Sequence, residues 1–493
     1  MNQANKQRSH VLVHRIVRSV LPCASLILGL AAAPVWAQTL QDAMSSAYQV
    51  NPGLKAERSR FQATQQGVWT ARSQFLPTIT GTYLGEHSAS DRTRSGTSDR
   101  SAFHELGINL SQPLFQGFSA VNRLNQAHEE TASGYSQLLG AEQSLLFDTA
   151  NAYLRVLRDR AILDRLRSYT GVVQQEVNAA RARYNSGDAT RTDIEQALAR
   201  LAEAEGNRDQ AVGDLEASLA LYERLTGSKP GKLGWPSVPK RLQPKGLQDA
   251  IAIAQRNNPT IRAATSDARA ARYAARASVG DMLPRVTLES AYDTGYRGNL
   301  GNRDEEEFRL GVRVTAPLFS GGRNIAAVKA AKATASQQEY ALDDIQQTIR
   351  ETVIRAVRQE TAARQRADAA QRAINANQRA IRGLQVEFEG GQRSLLDVLD
   401  GQRELLNSKV SFERARFDAS LAEFFLLATI GRLDPTDFSI VEERPEQVSR
   451  IIPEFNSWTL RLQPTEGELA RLEIPLTTGS IPAQDRKDME PVR

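Results

Sequence analysis

The chain has one cysteine and five histidines in 493 residues, and each scarcity removes a class of chemistry. Cys23 lies in an apolar stretch near the N-terminus and follows Pro22, a poor fit to the small residue that a lipid-attachment site needs. Beyond it there is no thiol for a disulfide, a thiolate metal site or a cysteine nucleophile. Past residue 37 the only histidines are His87, His104 and His128, at unrelated places. With no phosphate loop, metal-ligand cluster or nucleophile constellation, the sequence points away from an enzyme, and no catalytic residue, metal or cofactor is assigned. After residue 37 no run of eighteen apolar residues occurs, so a membrane-spanning helix is not available. Entry into a membrane would have to be made by strands.

The N-terminal stretch carries Lys6, Arg8, Arg15 and Arg18 without an acid, then an apolar run from Val20 to Ala33. Val35-Trp36-Ala37 has the small-residue spacing of a signal-peptidase site, so residues 1–37 read as an export signal and the mature chain as beginning near Gln38. Removing those four charges from a formal +5 leaves about +1, so the basic balance belongs to the signal and gives no support to nucleic acid as a partner.

What the sequence has in abundance is itself. LQDAM from Leu40 recurs as LQDAI from Leu247, Asn51-Pro52 as Asn258-Pro259, and Phe75-Leu76-Pro77 as Met282-Leu283-Pro284, all 207 residues apart. Pro113-Leu114-Phe115 recurs as Pro317-Leu318-Phe319, and Gly187, Asp193 and Gly227 as Gly391, Asp397 and Gly431, all 204 apart. The chain is therefore expected to comprise a first repeat at 38–227, a Pro-, Gly- and Lys-rich connector at 228–246, a second repeat at 247–433, and a polar tail at 434–493 that is loosely ordered toward its end. The change of offset places a three-residue length difference in the polar run from His87 to Arg100, since loops absorb such changes and packed elements do not.

Each repeat predicts a β-hairpin, at about 78–115 and 285–318. In the second, Val286, Leu288, Ser290, Tyr292, Thr294 and Tyr296 alternate with Arg285, Thr287, Glu289, Ala291, Asp293 and Gly295. Its partner run alternates Phe308, Leu310, Val312, Val314, Ala316 and Leu318 with Glu307, Arg309, Gly311, Arg313, Thr315 and Pro317. The first repeats the pattern more weakly through Ile79 and Tyr83, and through Leu106, Ile108 and Leu110. A period of two over ten or so residues is the pattern of a membrane barrel with lipid on one side and water on the other, which makes Arg285, Glu289, Asp293, Arg309 and Arg313 candidate lumen residues. A soluble sandwich edge alternates too, and that alternative stays open at this level. Four strands cannot close a barrel in lipid, so closure requires several chains: eight strands from a dimer or twelve from a trimer.

Residues 117–184 and 321–388 contain no proline and are rich in Ala, Gln, Arg, Glu and Leu. Each predicts one helix about 100 Å long at 1.5 Å per residue. Val353, Ala356, Glu360, Ala363, Ala367, Ala370, Ile374, Asn377, Ile381, Leu384 and Phe388 step strictly by three and four, which is coiled-coil spacing. Leu399, Leu406, Val410, Phe417, Leu421 and Phe424 supply the larger knobs of a returning helix. Gly-bearing turns in YNSGDATRTDI and FEGGQRSLLDV mark two hairpin tips. A soluble periplasmic coiled-coil rod or adaptor would account for these helices but not for charges placed opposite apolar residues in the strands.

The repeated NP turns, the LP steps before the strands, PLFQG and PLFSG after them, and above all YNSGDATRTD and FEGGQRSLLDVLD resemble the TolC family of outer membrane factors, over Leu40 to about Pro435. The resemblance implies a mixed α+β membrane protein of the Gram-negative outer membrane. It would be a homotrimer in which four strands per chain make a twelve-stranded barrel, continued by a long α-helical coiled-coil barrel through the periplasm. It implies a passive export duct for small molecules or secreted proteins, working with a periplasmic adaptor and an inner-membrane RND or ABC pump.

Residue by residue, the resemblance makes Asp397 and Asp400 a periplasmic ring of acids, and Thr192, Asp193, Arg393 and Phe388 a latch between hairpins. Gly187 and Gly391 become the tips that meet the adaptor. Phe388 departs from the family's tyrosine, so a hydroxyl hydrogen bond worth about 1 kcal/mol cannot form there. Asp397 and Asp400 share a helix face and, repeated around an axis, would favour cations. Ser394 with Asp397 and Thr190 with Asp193 also read as helix caps.

Overall fold

The computed structural model describes residues 38–92, 97–297 and 303–441. The export signal with Cys23, the tips of both β-hairpins and all but the first residues of the polar tail lie outside them.

Helices α1 (Leu40–Val50) and α2 (Pro52–Ser73) precede strands β1 (Thr78–Arg92) and β2 (Thr97–Gln116). The long helices α3 (Ser119–Ser186) and α4 (Arg191–Thr226) follow. The same order then recurs as α5 (Leu247–Asn257), α6 (Pro259–Gly280), β3 (Arg285–Arg297), β4 (Arg303–Thr315), α7 (Arg323–Glu389) and α8 (Leu395–Thr429). The NP steps explain each split pair. Asn51 caps α2, its side chain accepting from the amides of Gly53 and Leu54 at 2.9 and 3.2 Å, and Pro52 takes the first helical position, where no amide is needed. Asn258 does the same for α6 and also donates to the Thr429 carbonyl at 2.9 Å, pinning α6 to the end of α8.

The core gathers around the middle of the long helices, where Met44, Tyr153, Tyr222, Phe424, Leu427, Ile430 and Leu433 are fully buried. The connector wraps this level. The Tyr153 hydroxyl donates to the Gly234 carbonyl at 2.7 Å and accepts from its amide at 3.0 Å, and the Arg416 guanidinium lies 4.0 Å from the Trp235 ring centre. Below, α7 and α8 meet along the alternating seam. Val353, Ala356, Ala363, Ile374 and Ile381 are buried, Val353 and Ala356 in one cluster with Phe417 and Phe424 of α8, and Asn377 donates to Ser408 at 2.7 Å, while Leu399 and Leu406 of α8 pack on α3 and α4.

The four strands form one antiparallel sheet in the order β1-β2-β3-β4. Its hairpins share one register: Thr78 faces Ser111 in the first, and 207 and 204 positions on, Arg285 faces Thr315 in the second. Pairing puts Ile79, Tyr83, Leu106, Ile108, Leu110, Leu288, Tyr292, Phe308, Leu310, Val312 and Val314 on one face. Among the described residues no second layer covers this face: Ile79, Tyr83, Phe308 and Leu310 are 69, 70, 67 and 64 % exposed. A sandwich would bury this face under a second sheet, so that alternative fails on the described residues.

The strands also correct one expectation. β2 runs on to Gln116 because β3 partners it, Pro113 facing Thr287 and Phe115 facing Val286 across a bulge. β4 stops at Thr315 and does not reach Leu318, and Leu318 and Phe319 are left 95 and 90 % exposed. β4 is an edge strand, and beyond Thr315 the chain has no neighbour to hold an extended backbone.

Candidate functional site

Two regions bring polar side chains together: the charged face of the sheet and the two helical tips. On the sheet, Arg285, Glu289, Asp293, Arg309 and Arg313 all stand on the face opposite the bare apolar one. They are arranged in pairs. Arg313 donates to Glu289 at 2.7 Å, and Arg309 to Asp293 at 2.5 Å and to Glu307 at 2.7 Å. Arg285 reaches down to Asp281 at 2.9 Å, which also receives Arg123 at 2.7 Å, so the ladder continues to the start of α3. Exposed pairs of this kind add little stability, because water screens them. Their effect is to answer charge locally, Arg309 by Asp293 and Glu307, Arg313 by Glu289 and Arg285 by Asp281, while Glu86 and Glu105 stand on the same face.

At the tips, Gly187 and Gly391 close identical turns. Gly187 has φ of 90°, and the Asp188 amide donates to the Arg183 carbonyl at 2.8 Å. Gly391 has φ of 71°, and the Gln392 amide donates to the Glu387 carbonyl at 2.8 Å. A side chain would meet nothing within 4 Å at either position, so it is the backbone angle that selects glycine there.

The helices leaving the tips are capped reciprocally. Asp193 accepts from the Thr190 amide and hydroxyl at 2.8 and 2.9 Å, and Asp397 from the Ser394 amide and hydroxyl at 3.0 and 2.8 Å. The Ser394 amide bond, then its hydroxyl, hold the Asp397 carboxyl below the usual carboxylate range, with a smaller contribution from Arg393. A depressed folded value means that the cap's stability is complete above the unfolded carboxylate pKa and is lost as pH falls through the folded one. Ser394→Ala is expected to move the Asp397 titration upward, as read by carboxyl-carbon NMR; an unmoved titration would show that the cap does not set it.

Within one chain the expected latch residues find other partners. Asp193 is taken by its cap, Arg393 donates to Glu387 at 2.9 Å in its own hairpin, and Thr192 is exposed. Phe388 packs on the cluster of Val177, Ala180, Ala197, Leu395 and Leu399, and the Arg183 guanidinium of α3 lies 4.5 Å from its ring centre. A cation over the ring therefore ties the two hairpins where no hydroxyl is available. Asp400, expected as a ring acid, accepts from Arg200 of α4 at 2.9 Å and from Arg403 at 3.3 Å. Nothing in the sequence singled out Arg200, which lies 200 positions from its partner.

The profile of the outer membrane efflux protein family matches residues 43–228 and 250–432. The chain belongs to that family. Outer membrane efflux protein BepC of Brucella suis biovar 1 is 31% identical over 440 residues, 88% of this chain and 93% of BepC. The outer membrane protein TolC of Vibrio cholerae is 27% identical over 85% of this chain and 97% of its own. A solved CusC structure superposes with a TM-score of 0.71 over 80% of this chain and 92% of that one, at 19% identity, which speaks for the fold alone. The two matched segments fall on the two structural copies, so this outer membrane efflux protein is a duplicated export channel protein of the Gram-negative outer membrane.

Proposed function

We propose that three copies close their sheets into one twelve-stranded barrel, that their helical hairpins form the tunnel below it, and that a periplasmic adaptor and an RND or ABC pump engage the tips. The carrying observation is a four-stranded sheet with a bare apolar face, a charge-paired face and unpartnered outer strands. Unpaired strand edges cost several kcal/mol per group in lipid, so such a sheet must find its own kind.

The duplication tells how. The joint between copies is the pairing of β2 with β3, and β4 and β1 present the equivalent edges outward. Repeating that joint between chains sets Val314 opposite Tyr83 of the next subunit, as Leu110 stands opposite Ser290 here. It also pairs Phe319 with Ile79, giving two of the highly exposed apolar residues a neighbour. Either two or three copies would close this way; the family resemblance favours three.

In such a barrel the paired charges face water, and Asp397 with Asp400, the latter paired with Arg200 and Arg403, stand at the constricted tips. Gly187 and Gly391 offer the tip turns to the adaptor. The duct itself is passive, so cargo and energy source belong to the pump.

The test is oxidative crosslinking of Tyr83→Cys with Val314→Cys in the otherwise cysteine-free mature chain. A covalent trimer is expected, with far weaker linkage when Val312→Cys or Ala316→Cys replaces the second site. A water-soluble monomer without crosslinks would end this reading.

A further inference from the structure

We propose that Arg200 is the residue that fastens the second helical hairpin to the first in the closed channel, acting through Asp400. The inference rests on the channel reading above and concerns where the tips are held within one subunit. Arg200 projects from α4 and divides its guanidinium, one nitrogen to Glu203 on its own helix and the other to Asp400 on α8, both at 2.9 Å. Its side chain is 23 % exposed, whereas Arg191 and Arg393 at the tips are 83 and 50 % exposed. A fork held on both sides in a half-buried place loses little freedom on pairing, which separates this contact from the solvated charges below it.

The pair also holds a distinctive place among the links from α8 to the first hairpin. Glu413 receives Arg165 of α3 at 3.0 Å, farther from the tips, and Gln402 reaches Glu176 of α3 at 3.5 Å as a neutral-to-charged contact at a similar level. Arg200–Asp400 is, among the described residues, the ion pair between the hairpins that lies nearest the turns, standing just behind the Arg183–Phe388 contact. It is also asymmetric. The duplication places Glu404 at the position of Arg200 and Gln196 at that of Asp400, so the equivalent joint between neighbouring subunits carries no such pair. Opening that begins between subunits would leave this bond intact; opening that separates the two hairpins of one subunit must break it. The assignment changes the role of Asp400, whose charge is answered by Arg200 and Arg403 and is not presented bare to the passage.

The experiment is single-channel conductance of the purified full-length protein in planar bilayers, for Arg200→Ala, the near-isosteric Asp400→Asn, and the two combined. Each single change is expected to raise the open fraction about tenfold, since three half-exposed pairs act together, and to raise the current of cations and anions alike. The combination is expected to open no further than either alone, and Arg200→Lys, which keeps the charge but not both arms of the fork, to fall between wild type and Arg200→Ala. If Arg200→Ala alters ion selectivity without raising total conductance, or if the two changes add independently, the fastening role is wrong. Wild-type protein that carries no current would instead sink the channel reading and this one with it.

Discussion

Gly280→Ala is expected to destabilise the folded subunit by on the order of 3 kcal/mol, the upper end of what overpacking costs. Gly280 ends α6, and the methyl would sit 2.4 Å from the Gly117 carbonyl oxygen and 2.7 Å from the Ser119 amide nitrogen. Both are backbone atoms, so no side chain can rotate out of the way. Gly117 is locked from the other side: its φ is +61°, and a methyl there would lie 2.2 Å from the Gly280 oxygen. The two glycines cross where β2 leaves the sheet for α3 and where α6 enters it for β3, so relief requires moving sheet against helices. The duplication supplies the control. Ser73 occupies the corresponding place in the first copy and already carries a side chain, whose hydroxyl donates to Thr70 at 2.8 Å. Thermal unfolding in detergent should show a lowered midpoint for Gly280→Ala and an unchanged one for Ser73→Ala. Equal midpoints for Gly280→Ala and wild type would mean the crossing is not tight.

Much of this architecture could be read from local pattern because local pattern is what builds it. Alternation assigns faces to a strand without knowledge of its partners, and the structure places Arg309 and Leu310 on opposite faces. Asn51-Pro52 and Ser394 with Asp397 define helix starts within a turn of chain, and the three-four seam from Val353 to Phe388 falls on the sheltered side of α7. The family, too, was legible in the two tip motifs.

Illegible were the choices among many equivalent charges. The chain has 62 Lys and Arg side chains, and nothing in spacing tells that Arg200 meets Asp400 or that Arg183 covers Phe388. Such partners follow from how far one long helix slides along another, which the sum of many small seam contacts decides. The end of β4 was illegible for a related reason: alternation persists to Leu318, but a strand also needs a neighbour, and beyond Thr315 the described residues of the chain offer none.

The sharpest test of the two faces uses adjacent residues. Leu310→Arg would place a guanidinium on the bare apolar face, beside Phe308 and Val312 and opposite Ser290. Near the middle of a bilayer that costs about 2–4 kcal/mol per chain, and a trimer would bear it three times. Loss of protein from the outer-membrane fraction, with the chain recovered as soluble aggregate or degraded, is the expected result. Gly311→Arg, one position on, points the other way, directly across from Glu289 and with open space where its first side-chain carbon would lie. Insertion should be retained there, and the current should shift toward anions because the face gains a positive charge. If both substitutions insert equally well, the apolar face is not turned to lipid and the barrel is misassigned. If Gly311→Arg is the one that abolishes insertion, the faces have been reversed. Only a barrel with Leu310 outside and Gly311 inside separates the two, because a one-residue step along a strand turns the side chain from one solvent to the other.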